Sequence, residues 1–558
     1  MKKHANLQKR WQNICNAVIV AALLIFFLPV TACVSSQKGG AGEKDEVELA
    51  ILFTNDLHSS GDYARLATLI KEQRALACEE GLPLLLVDAG DMAMGSIFQT
   101  LFPTHAFEYV AMAQMGYDAC TFGNHDFDFG LNALENMFEA GTLKVAGMGM
   151  EAPPFIVSNL GMDVSGYPLL SQVKDTLTIS RSYISNGITR NIKIGLFGLM
   201  GKEAYSTIVS KEPLHYEKGI VAAERAVAAL KSASADYIVA LSHSGTLEDK
   251  RLASKVDGID LIISGHDHDT LHDPIIINET AIVSSGAMNR YLGRIVIGKG
   301  GILSYRLLPL SSSIQADPQM EAWVEENRHI VSDKFKSISG LSLDDTLYNL
   351  ENSFDLNILP DGSLPLASHI ARSYSRMARR VSDLPLEDLV AIIPYGVIRA
   401  PLDSGAVTLH DIYDVLSLGI SADGAPGYPL VMAWVTGSEL EDICELNATV
   451  AGRMRDARLY FDGLSFTYNK RALPFFRVKE VMVNGAKIKD DSLYPVVTGL
   501  YTAQLMGMLS SSSFGILSVV PKDSKGNPIE DLNRFLLPSS EWMAFAEYVK
   551  EKGLDTPI

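Results

Sequence analysis

The chain has 558 residues, of which 47% are hydrophobic and 20% charged, and its formal net charge is −18 at pH 7. This composition is that of a globular protein, and the length exceeds what one hydrophobic core fills, so two folded domains are expected. The acidic charge excludes a nucleic-acid polymer as partner, because phosphate backbones require a basic face. It does not exclude a small phosphorylated substrate, since bound cations would supply local positive charge.

Residues 1–32 are predicted to be a signal peptide. Basic residues precede an uncharged stretch of 14 residues, Ala17 to Val30, which is shorter than the roughly 20 residues of a membrane-spanning helix. Val30-Thr31-Ala32-Cys33 then resembles a bacterial lipobox, which implies cleavage before Cys33 and lipidation of its thiol. The alternative is an ordinary secretory signal with a chance cysteine. We therefore expect an extracytoplasmic protein, lipid-anchored to a bacterial membrane in the periplasm or at the cell surface, with 33–46 as a flexible tether.

Over residues 47–312, strand-like runs alternate with helical patterns, and five runs end at loops that carry metal-ligand side chains. The runs are VELAILF, LLLVD, ACTF, YIVALS and LIISG. Apolar runs of this length are typical of strands buried on both faces, as in a parallel sheet flanked by helices. Their carboxyl ends meet at one edge, where α/β sheets place their sites. The loops that follow carry Asp56-Leu57-His58, Gly90-Asp91, Gly123-Asn124-His125-Asp126, His243 and His266-Asp267-His268.

These side chains together predict a site for two metal ions and metal-assisted hydrolysis. Asp91, at a glycine-flanked strand exit, suits a carboxylate that bridges the ions. Asp56 and His58 are two residues apart, which in extended backbone directs both to the same side, and His266 and His268 share that spacing. The set contains no cysteine, so its nitrogen and oxygen donors suit Mn²⁺, Zn²⁺, Fe²⁺ or Co²⁺.

The remaining pattern predicts a connecting helix and a second domain. Asp317-Pro318 is typical of an N-cap and first helical turn, so residues 313–340 are predicted to form a connecting helix or linker. From about 341 to 558 the strands are shorter and turns such as Asp462-Gly463 are more frequent, which predicts a smaller α+β domain.

Several motifs carry a resemblance to a known family. They are TNDLH, the ARLATLIK helix, GNHDFDFG, ALSHSG, ISGHDH and SSGAMNRYLGRI, in this order from residue 47 to about 310. This set resembles the calcineurin-like metallophosphoesterases and is similar to their bacterial 5′-nucleotidase/UDP-sugar hydrolase branch, here in a lipoprotein form. The resemblance implies a four-layer α/β/β/α metallophosphoesterase domain followed by a 5′-nucleotidase-type C-terminal domain.

The resemblance also implies which residues hold each of two divalent ions. One ion would have as ligands Asp56, His58, Asp91 and His268. The other would have as ligands Asp91, Asn124, His243 and His266.

His125 and Asp128 are implied to be a catalytic pair. The resemblance leaves His125 free to face the substrate and stabilise the phosphoryl group, with Asp128 accepting a hydrogen bond from its imidazole. Alternatively, Asp128 caps the helix predicted to begin near Gly130. Asp126 stands where the family usually has Glu, a conservative change that we expect to leave the chemistry intact.

The second domain resembles the 5′-nucleotidase substrate domain in its scaffold but departs from it at substrate-contacting motifs. The family's Asn-Gly-Gly-Gly-Ile-Arg reads Pro394 to Arg399 here, which keeps Arg399 as a candidate phosphate clamp. Its Pro-Phe-Gly, whose ring stacks on the base, reads Ser417-Leu418-Gly419. Phe514 and Tyr395 are candidates for the stacking role, and structural roles for all three substrate candidates stay open.

The sequence therefore predicts a binuclear-metal phosphoesterase that hydrolyses phosphate from nucleotides or related small phosphorylated molecules. Within enzymes, the alternative is a cyclic-nucleotide phosphodiesterase or a nucleotide-sugar pyrophosphatase. Outside enzymes, it is a surface binding lipoprotein whose substrate domain has drifted to a new partner. The complete ligand set favours an enzyme, whereas the altered loops of the second domain favour a binding protein.

Overall fold

A computed structural model describes residues 48–162, 166–185, 187–208, 211, 213–421, 425–452, 454–507 and 518–555. The predicted signal peptide, the tether, Cys33 and Phe514 lie outside these residues. Within the described ranges, no helix is long and apolar enough to cross a membrane.

Two facing β-sheets form the N-terminal part of the structure. Its strands are β1 (Leu49–Thr54), β2 (Leu84–Asp88), β3 (Ala119–Cys120), β4 (Leu160–Met162), β5 (Thr176–Ser185), β6 (Ile188–Met200), β7 (Leu214–Tyr216), β8 (Tyr237–His243), β9 (Leu261–Ser264), β10 (Ile275–Ile277), β11 (Thr280–Val283), β12 (Tyr291–Gly298) and β13 (Gly301–Pro309). One sheet has the order β13-β12-β1-β2-β3 and the other β10-β11-β9-β8-β6-β5. Strands β1, β2 and β3 are parallel to one another, as are β6, β8, β9 and β11.

Helices cover the outer face of each sheet. They are α1 (Tyr63–Glu80), α2 (Phe102–His105), α3 (Phe107–Met115), α4 (Gly130–Gly147), α5 (Lys202–Thr207), α6 (Gly219–Ser232) and α7 (Thr246–Ala253). Helix α1 buries Leu66, Leu69 and Ile70 and ends at Gly81, whose φ of +71° is left-handed. Glycine adopts this conformation without the steric cost that a Cβ imposes, so it ends helices readily.

The core between the two sheets explains why the five apolar runs are buried on both faces. Phe53 and Val87 of the first sheet pack in one cluster with Leu196 and Leu241 of the second. The prediction of five buried strands is confirmed, and so is the four-layer α/β/β/α arrangement. The apolar runs alone suggested a parallel sheet flanked by helices, but the strands belong to two sheets, and the opposite sheet rather than a helix covers the inner face of each strand.

Helix α8 (Pro318–Ser339) connects the N-terminal layers to the rest of the chain. Asp317 is its N-cap, accepting a hydrogen bond from the Met320 N–H at 3.0 Å, as the sequence predicts. Trp323 stacks on Phe107 of the N-terminal part, with ring centroids 6.3 Å apart. Further along the helix, Phe335 contacts Trp542 of the C-terminal part, with ring centroids 5.1 Å apart. The helix therefore packs on both parts.

The C-terminal part has an α+β arrangement. Its strands are β14 (Thr346–Leu350), β15 (Val390–Pro394), β16 (Gly405–Thr408), β17 (Pro429–Thr436), β18 (Leu459–Asp462), β19 (Leu464–Tyr468), β20 (Val478–Val483), β21 (Ala486–Lys487), β22 (Leu493–Gly499) and β23 (Leu536–Ser540). Its helices are α9 (Pro365–Val381), α10 (Leu409–Val415), α11 (Gly437–Val450), α12 (Leu500–Gly507) and α13 (Glu541–Lys552). The main sheet has the order β18-β15-β22-β17-β23, and β19-β20-β21 form a smaller sheet.

Candidate functional site

The loops that follow β1, β2, β3, β8 and β9 converge although their strands belong to two sheets. Backbone hydrogen bonds join them: the Asp56 N–H donates to the Gly90 carbonyl at 2.9 Å, and the His58 N–H donates to the Asp91 carbonyl at 3.0 Å. The N–H of His266 donates to Oδ1 of Asp56 at 3.0 Å. The predicted convergence of these loops is thus present, and their backbones support one another.

The backbone of these loops is not extended. The inference that extended backbone directs Asp56 and His58, or His266 and His268, to the same side is therefore wrong. Among the non-glycine residues of the site loops, positive φ values of 51° to 84° occur at Asp56, His58, Ser59, Asp91, Met94, His266 and His268. Left-handed backbone costs a non-glycine residue energy, and such residues gather at functional sites. Consecutive side chains therefore reach the site because the chain turns sharply, not because a strand alternates.

A glycine permits the close approach of two loops. A Cβ on Gly123 would lie 2.0 Å from Oδ1 of Asp91. The neighbouring N–H of His125 donates to that same oxygen at 2.8 Å. Position 123 must therefore be glycine for Asp91 to sit against this loop.

Nitrogen and oxygen donors face one another at the centre of the site. Nε2 of His58 lies 2.9 Å from Nε2 of His268, and Nε2 of His243 lies 3.2 Å from Oδ2 of Asp91. Oδ1 of Asp56 is 3.7 Å from Nε2 of His268 and 3.9 Å from Nε2 of His243. Two groups with metal-ligand spacing result: Asp56 with His58 and His268, and Asp56 with Asp91 and His243.

The hydrogen bonds behind two imidazoles direct their other ring nitrogens into the site. Nδ1 of His58 lies 2.8 Å from the Met94 carbonyl and Nδ1 of His243 lies 3.0 Å from the Ala89 carbonyl. A carbonyl only accepts, so each Nδ1 donates to it and each Nε2 faces the site. Burial lowers the pKa of His243, but the charges of Asp91 and Asp56 outweigh it and raise that pKa to about 10, so a bound cation would displace the Nε2 proton of this ring. Oδ1 of Asn124 is buried and accepts no hydrogen bond from the described residues. These converging oxygen and nitrogen atoms fit divalent cations.

The electrostatics of the site agree with that fit. Burial, followed by the charge of His268, holds the pKa of His58 well below its usual range, and burial followed by Arg399 lowers the pKa of His268 to about 3. Both imidazoles are therefore neutral, as metal ligands must be. Burial opposes ionisation of Asp91, but the neighbouring His243 and His125 hold the pKa of this carboxyl well below its usual range. A cation would stabilise the same carboxylate.

His266 lies outside the two groups formed by the other predicted aspartate and histidine ligands. Its Nε2 lies 3.3 Å from Oε2 of Glu203, and its ring centroid is 5.3 Å from that of His243. It groups by ligand spacing with Glu203 and Asp267 rather than with Asp91. The sequence prediction missed Glu203, which follows the end of β6, another buried strand that stops at this edge.

His125 and Asp128 contact each other directly. Nδ1 of His125 donates to Oδ2 of Asp128 at 2.6 Å. Burial lowers the pKa of His125, but the charges of Asp128 and Asp91 outweigh it, so the pKa is raised overall. Helix α4 has no side-chain cap, and its N-cap position is Phe129. The alternative in which Asp128 caps this helix is therefore wrong.

Asp126 contacts the backbone of two site loops, whereas His125 and Asp128 contact each other. Its buried carboxylate accepts from the backbone N–H groups of Gly123 at 2.8 Å, Ala93 at 3.1 Å and Asp91 at 3.2 Å. It thereby joins the loop after β2 to the loop after β3. The shorter side chain, where the family usually has Glu, is long enough for this contact.

Arg399 of the C-terminal part points its charge at the same site. Its Nε and Nη2 atoms are buried and have no hydrogen-bond partner among the described residues, and Nη1 makes one long bond of 3.4 Å to the Gly396 carbonyl. Its charge contributes to lowering the pKa of His58 and of His268. A buried guanidinium with unused donors beside the predicted ligands is what a phosphate clamp requires.

Tyr395, a candidate for base stacking, makes contacts within the C-terminal part. The guanidinium of Arg455 covers its ring at 4.4 Å from the centroid, and its hydroxyl donates to the Leu356 carbonyl at 3.0 Å. One ring face and the hydroxyl group are thus already used within the C-terminal part.

Two other tyrosines lie where the charge of Asp128 acts on them. Tyr428 and Tyr501 stack with ring centroids 5.3 Å apart and an interplanar angle of 13°. Burial, followed by the charge of Asp128, raises the pKa of Tyr501 to about 12. The ring of Tyr428 lies over Gly419, where an added Cβ would meet it at 2.4 Å. The segment Ser417-Leu418-Gly419, which lacks the family's phenylalanine, is thus covered by the ring of Tyr428. The sequence prediction missed this contact.

The comparisons with known proteins agree with this architecture. The calcineurin-like phosphoesterase family matches residues 49–270, and the 5′-nucleotidase C-terminal domain family matches residues 349–508. Trifunctional nucleotide phosphoesterase protein YfkN of Bacillus subtilis is 27% identical over 81% of this chain, and the match spans 31% of that protein, about a third of its length. Human 5′-nucleotidase is 26% identical, with 84% of each chain covered. The crystal structure of a 5′-nucleotidase precursor from Thermus thermophilus shares the fold, with a TM-score of 0.66 at 18% identity over 90% of this chain and 96% of that one.

Fold and site together define a metal-dependent phosphoester hydrolase. The chain belongs to the calcineurin-like phosphoesterases that carry a 5′-nucleotidase C-terminal domain. The predictions of this family and of its two-part fold are confirmed.

Proposed function

We propose that this protein hydrolyses phosphate from a nucleotide, or from a related small phosphorylated molecule, with two divalent metal ions. The observation that carries the proposal is the convergence of buried carboxylate, imidazole and amide groups, including Oδ1 of Asn124, opposite the Arg399 guanidinium, whose buried Nε and Nη2 atoms have no hydrogen-bond partner among the described residues. The acceptors would hold cations, and the guanidinium would hold an anion. A phosphate ester brought between them would be polarised from both sides.

The chain's own residues would hold the two ions. The first ion would take Asp56, His58, Asp91 and His268, and the second Asp91, Asn124, His243 and His266. When bound, Mn²⁺, Zn²⁺, Fe²⁺ or Co²⁺ at these donors lowers the pKa of water and offsets the charge of phosphoryl oxygens. Because the donors are imidazole, carboxylate and amide groups, they do not select one of these metals.

The catalytic step would use His125 on the substrate side. Its Nδ1 proton is committed to Asp128 at 2.6 Å, so the other ring nitrogen faces away from that carboxylate. Because the pKa of His125 is raised, the ring tends to carry a second proton, which Nε2 donates to an oxygen of the transferring phosphoryl group. Asp128 would fix the orientation of the ring and stabilise its charge.

The substrate would be a nucleotide because the cleft offers both a phosphate contact and an aromatic surface. Arg399 provides the phosphate contact, and Tyr428 with Tyr501 provides rings against which a nucleobase stacks. Relatives whose names are 5′-nucleotidase and nucleotide phosphoesterase support this substrate class. The tyrosine pair takes the place of the ring that the family carries at the position of Leu418.

The proposal includes an extracytoplasmic location with a lipid anchor at Cys33. It rests on the lipobox-like residues Val30 to Cys33 and the short uncharged stretch before them. Metabolic labelling with a palmitate analogue should mark the protein and leave Cys33→Ser unlabelled. A labelled Cys33→Ser variant contradicts the anchor and leaves the hydrolase proposal untouched.

A substrate panel tests the activity. The purified protein, loaded with Mn²⁺ or Zn²⁺, is given mononucleotides, cyclic nucleotides, nucleotide sugars, glycerol phosphate and an aryl phosphate, with Asp91→Asn as the inactive control. Mononucleotide turnover that Asp91→Asn abolishes supports the proposal. Preference for a cyclic diester or a nucleotide sugar supports the alternative enzymes, and two bound metal equivalents without turnover of any ester support the binding lipoprotein.

A further inference from the structure

The connection between β19 and β20, residues 469–477, exposes large apolar side chains and is called the hairpin tip below. Leu473 and Phe476 are each 74% exposed, the highest values among the large hydrophobic residues that the structure describes. Single exposed apolar residues are common on protein surfaces, but two on one short connection form a patch that water disfavours.

The hairpin tip has a defined conformation and is tied to the domain beneath it. The Asn469 N–H donates to the Arg477 carbonyl at 2.8 Å, and the Phe476 N–H donates to the Leu473 carbonyl at 3.1 Å. The Phe475 N–H donates to Oγ1 of Thr449 at 3.0 Å, at the end of α11. Leu473 and Phe476 are therefore displayed by a fixed scaffold, and contacts within the hairpin do not cover them.

The hairpin tip is also basic, in a chain that is acidic. Residues 463–479 contain Lys470, Arg471, Arg477 and Lys479 and no acidic residue, whereas the whole chain has 66 acidic and 48 basic residues. Within the ranges that the structure describes, Lys470, Arg471 and Lys479 are exposed and no salt bridge involves them. Their charges are thus available to an anionic partner.

We propose that the hairpin tip binds an anionic lipid bilayer, inserting Leu473 and Phe476 below the headgroups while the flanking lysines and arginine contact headgroup phosphates. Apolar burial and attraction to anionic headgroups add at such an interface, and long basic side chains reach the headgroups while their stems stay in apolar surroundings. A second copy of the chain is the poorer partner, because a symmetric contact would place like charges against each other. The hairpin contact depends neither on lipid at Cys33 nor on the proposed hydrolase activity.

Vesicle binding by the full-length protein tests the proposal. Phosphatidylcholine vesicles with and without phosphatidylglycerol are compared for the parent protein, for Leu473→Ser/Phe476→Ser and for Leu143→Ser/Leu247→Ser, whose residues are 69% and 62% exposed elsewhere on the surface. We expect the hairpin variant to bind anionic vesicles about tenfold or more weakly, since two apolar contacts are lost. The control variant should bind as the parent does, and salt should weaken parental binding.

A local probe separates the hairpin from any other anchor. Phe476→Trp and Leu143→Trp are mixed with vesicles whose acyl chains carry bromine, and quenching is read as the excess over the parent protein. Excess quenching in Phe476→Trp alone supports insertion of the hairpin tip. Equal quenching of both variants, or no excess quenching in either, overturns the proposed insertion. The proposal is also overturned if Leu473→Ser/Phe476→Ser abolishes self-association of the protein while its vesicle binding is unchanged. Circular dichroism spectra and melting temperatures equal to those of the parent verify that each variant folds.

Discussion

His125 differs from the predicted metal ligands in what its ring contacts. His58 and His243 direct Nδ1 to backbone carbonyls, whereas Nδ1 of His125 contacts a carboxylate on Asp128. A carbonyl behind Nδ1 leaves the ring able to give up its Nε2 proton to a metal, whereas a carboxylate behind Nδ1 stabilises the protonated ring. The chemical partner of Nδ1 thus separates residues that hold cations from the residue that meets the phosphoryl group.

Replacing His125 with alanine tests this separation. We expect turnover to fall by a factor of about 10² to 10⁴, because a proton donor and stabilising charge are lost at the transition state. Metal content, measured by elemental analysis, should stay at the parental value. Asp128→Asn should lose less activity than His125→Ala. Loss of metal from His125→Ala would place this ring among the ligands instead.

Arg399 is the residue through which the C-terminal part reaches the phosphate. Arg399→Ala should raise KM by about tenfold or more with a smaller change in kcat, because a hydrogen bond to a charged group contributes roughly 1.5–3 kcal/mol. Arg399→Lys keeps the charge but loses the planar fork, so its KM should fall between those of the parent and the alanine variant. Steady-state kinetics on a mononucleotide measures both. A parental KM in Arg399→Ala would remove this residue from the substrate site.

At the scale of elements, the strand ends were predictable and the conformations of the loops were not. Buried strands are recognisable as uninterrupted apolar runs, and the residue after each run is readable as a ligand type. The left-handed φ of Asp56 and His58 could not be predicted from the sequence, since a residue other than glycine is held in that region by surrounding contacts. The sequence therefore predicted which loops meet, but the reason it suggested for the direction of their side chains was wrong.

Contacts between distant segments were the other part that the sequence did not reveal. Glu203 follows the end of β6. Because the other site residues were predicted from ligand-type side chains that follow buried strands, the position of Glu203 near His266 could have been predicted in the same way. The contact of the Tyr428 ring with Gly419 could not be predicted, because it depends on how the chain between these two residues folds back. The absence of an aromatic residue from a motif therefore predicts the loss of base stacking only when no other segment places an aromatic ring at the same position.

The contact between α9 and α13 carries a pH-dependent element of stability. Glu541, the first residue of α13, is buried and accepts from the Tyr374 hydroxyl of α9 at 2.8 Å. Burial raises the pKa of Glu541 to about 7, since the charged form is poorly solvated there. The unfolded chain therefore releases this proton at lower pH than the folded chain. The stabilising contribution is complete below the usual glutamate pKa and is lost as pH rises through about 7.

Glu541→Gln should remove that dependence. Relative to the parent, the variant should gain stability between pH 5 and pH 8, by an amount on the order of 1–3 kcal/mol, because its side chain never ionises. Urea unfolding at the two pH values measures the change. Glu530→Gln serves as the exposed control and should shift neither curve. A parent–variant difference that is constant with pH would contradict a neutral Glu541 in the folded protein.

At the scale of the whole molecule, the site is complete only where the two parts touch. Gln99, which follows the loop after β2, is fully buried, and its amide nitrogen donates to the Tyr413 hydroxyl at 2.8 Å and to the Ser417 carbonyl. The Ser417 hydroxyl donates in return to the Gly95 carbonyl at 2.9 Å. Nearby, the backbone N–H of Arg399 donates to the Val415 carbonyl at 2.9 Å. The chain segment from Val415 to Ser417 is therefore hydrogen-bonded to the loop after β2 on one side and to the backbone of Arg399 on the other.

Gln99→Leu would test whether this connection positions the arginine. The substitution keeps the volume but leaves the Ser417 carbonyl with only the long 3.4 Å contact from the Tyr413 hydroxyl, at a cost of roughly 1–3 kcal/mol. Because the segment that holds the Arg399 backbone is released, KM for a mononucleotide should rise several-fold while metal content stays parental. Kinetics and elemental analysis measure both, with Gln172→Leu, at an exposed position, as the control. If Gln99→Leu is less stable yet keeps the parental KM, the two parts hold their alignment through α8 and its aromatic contacts instead.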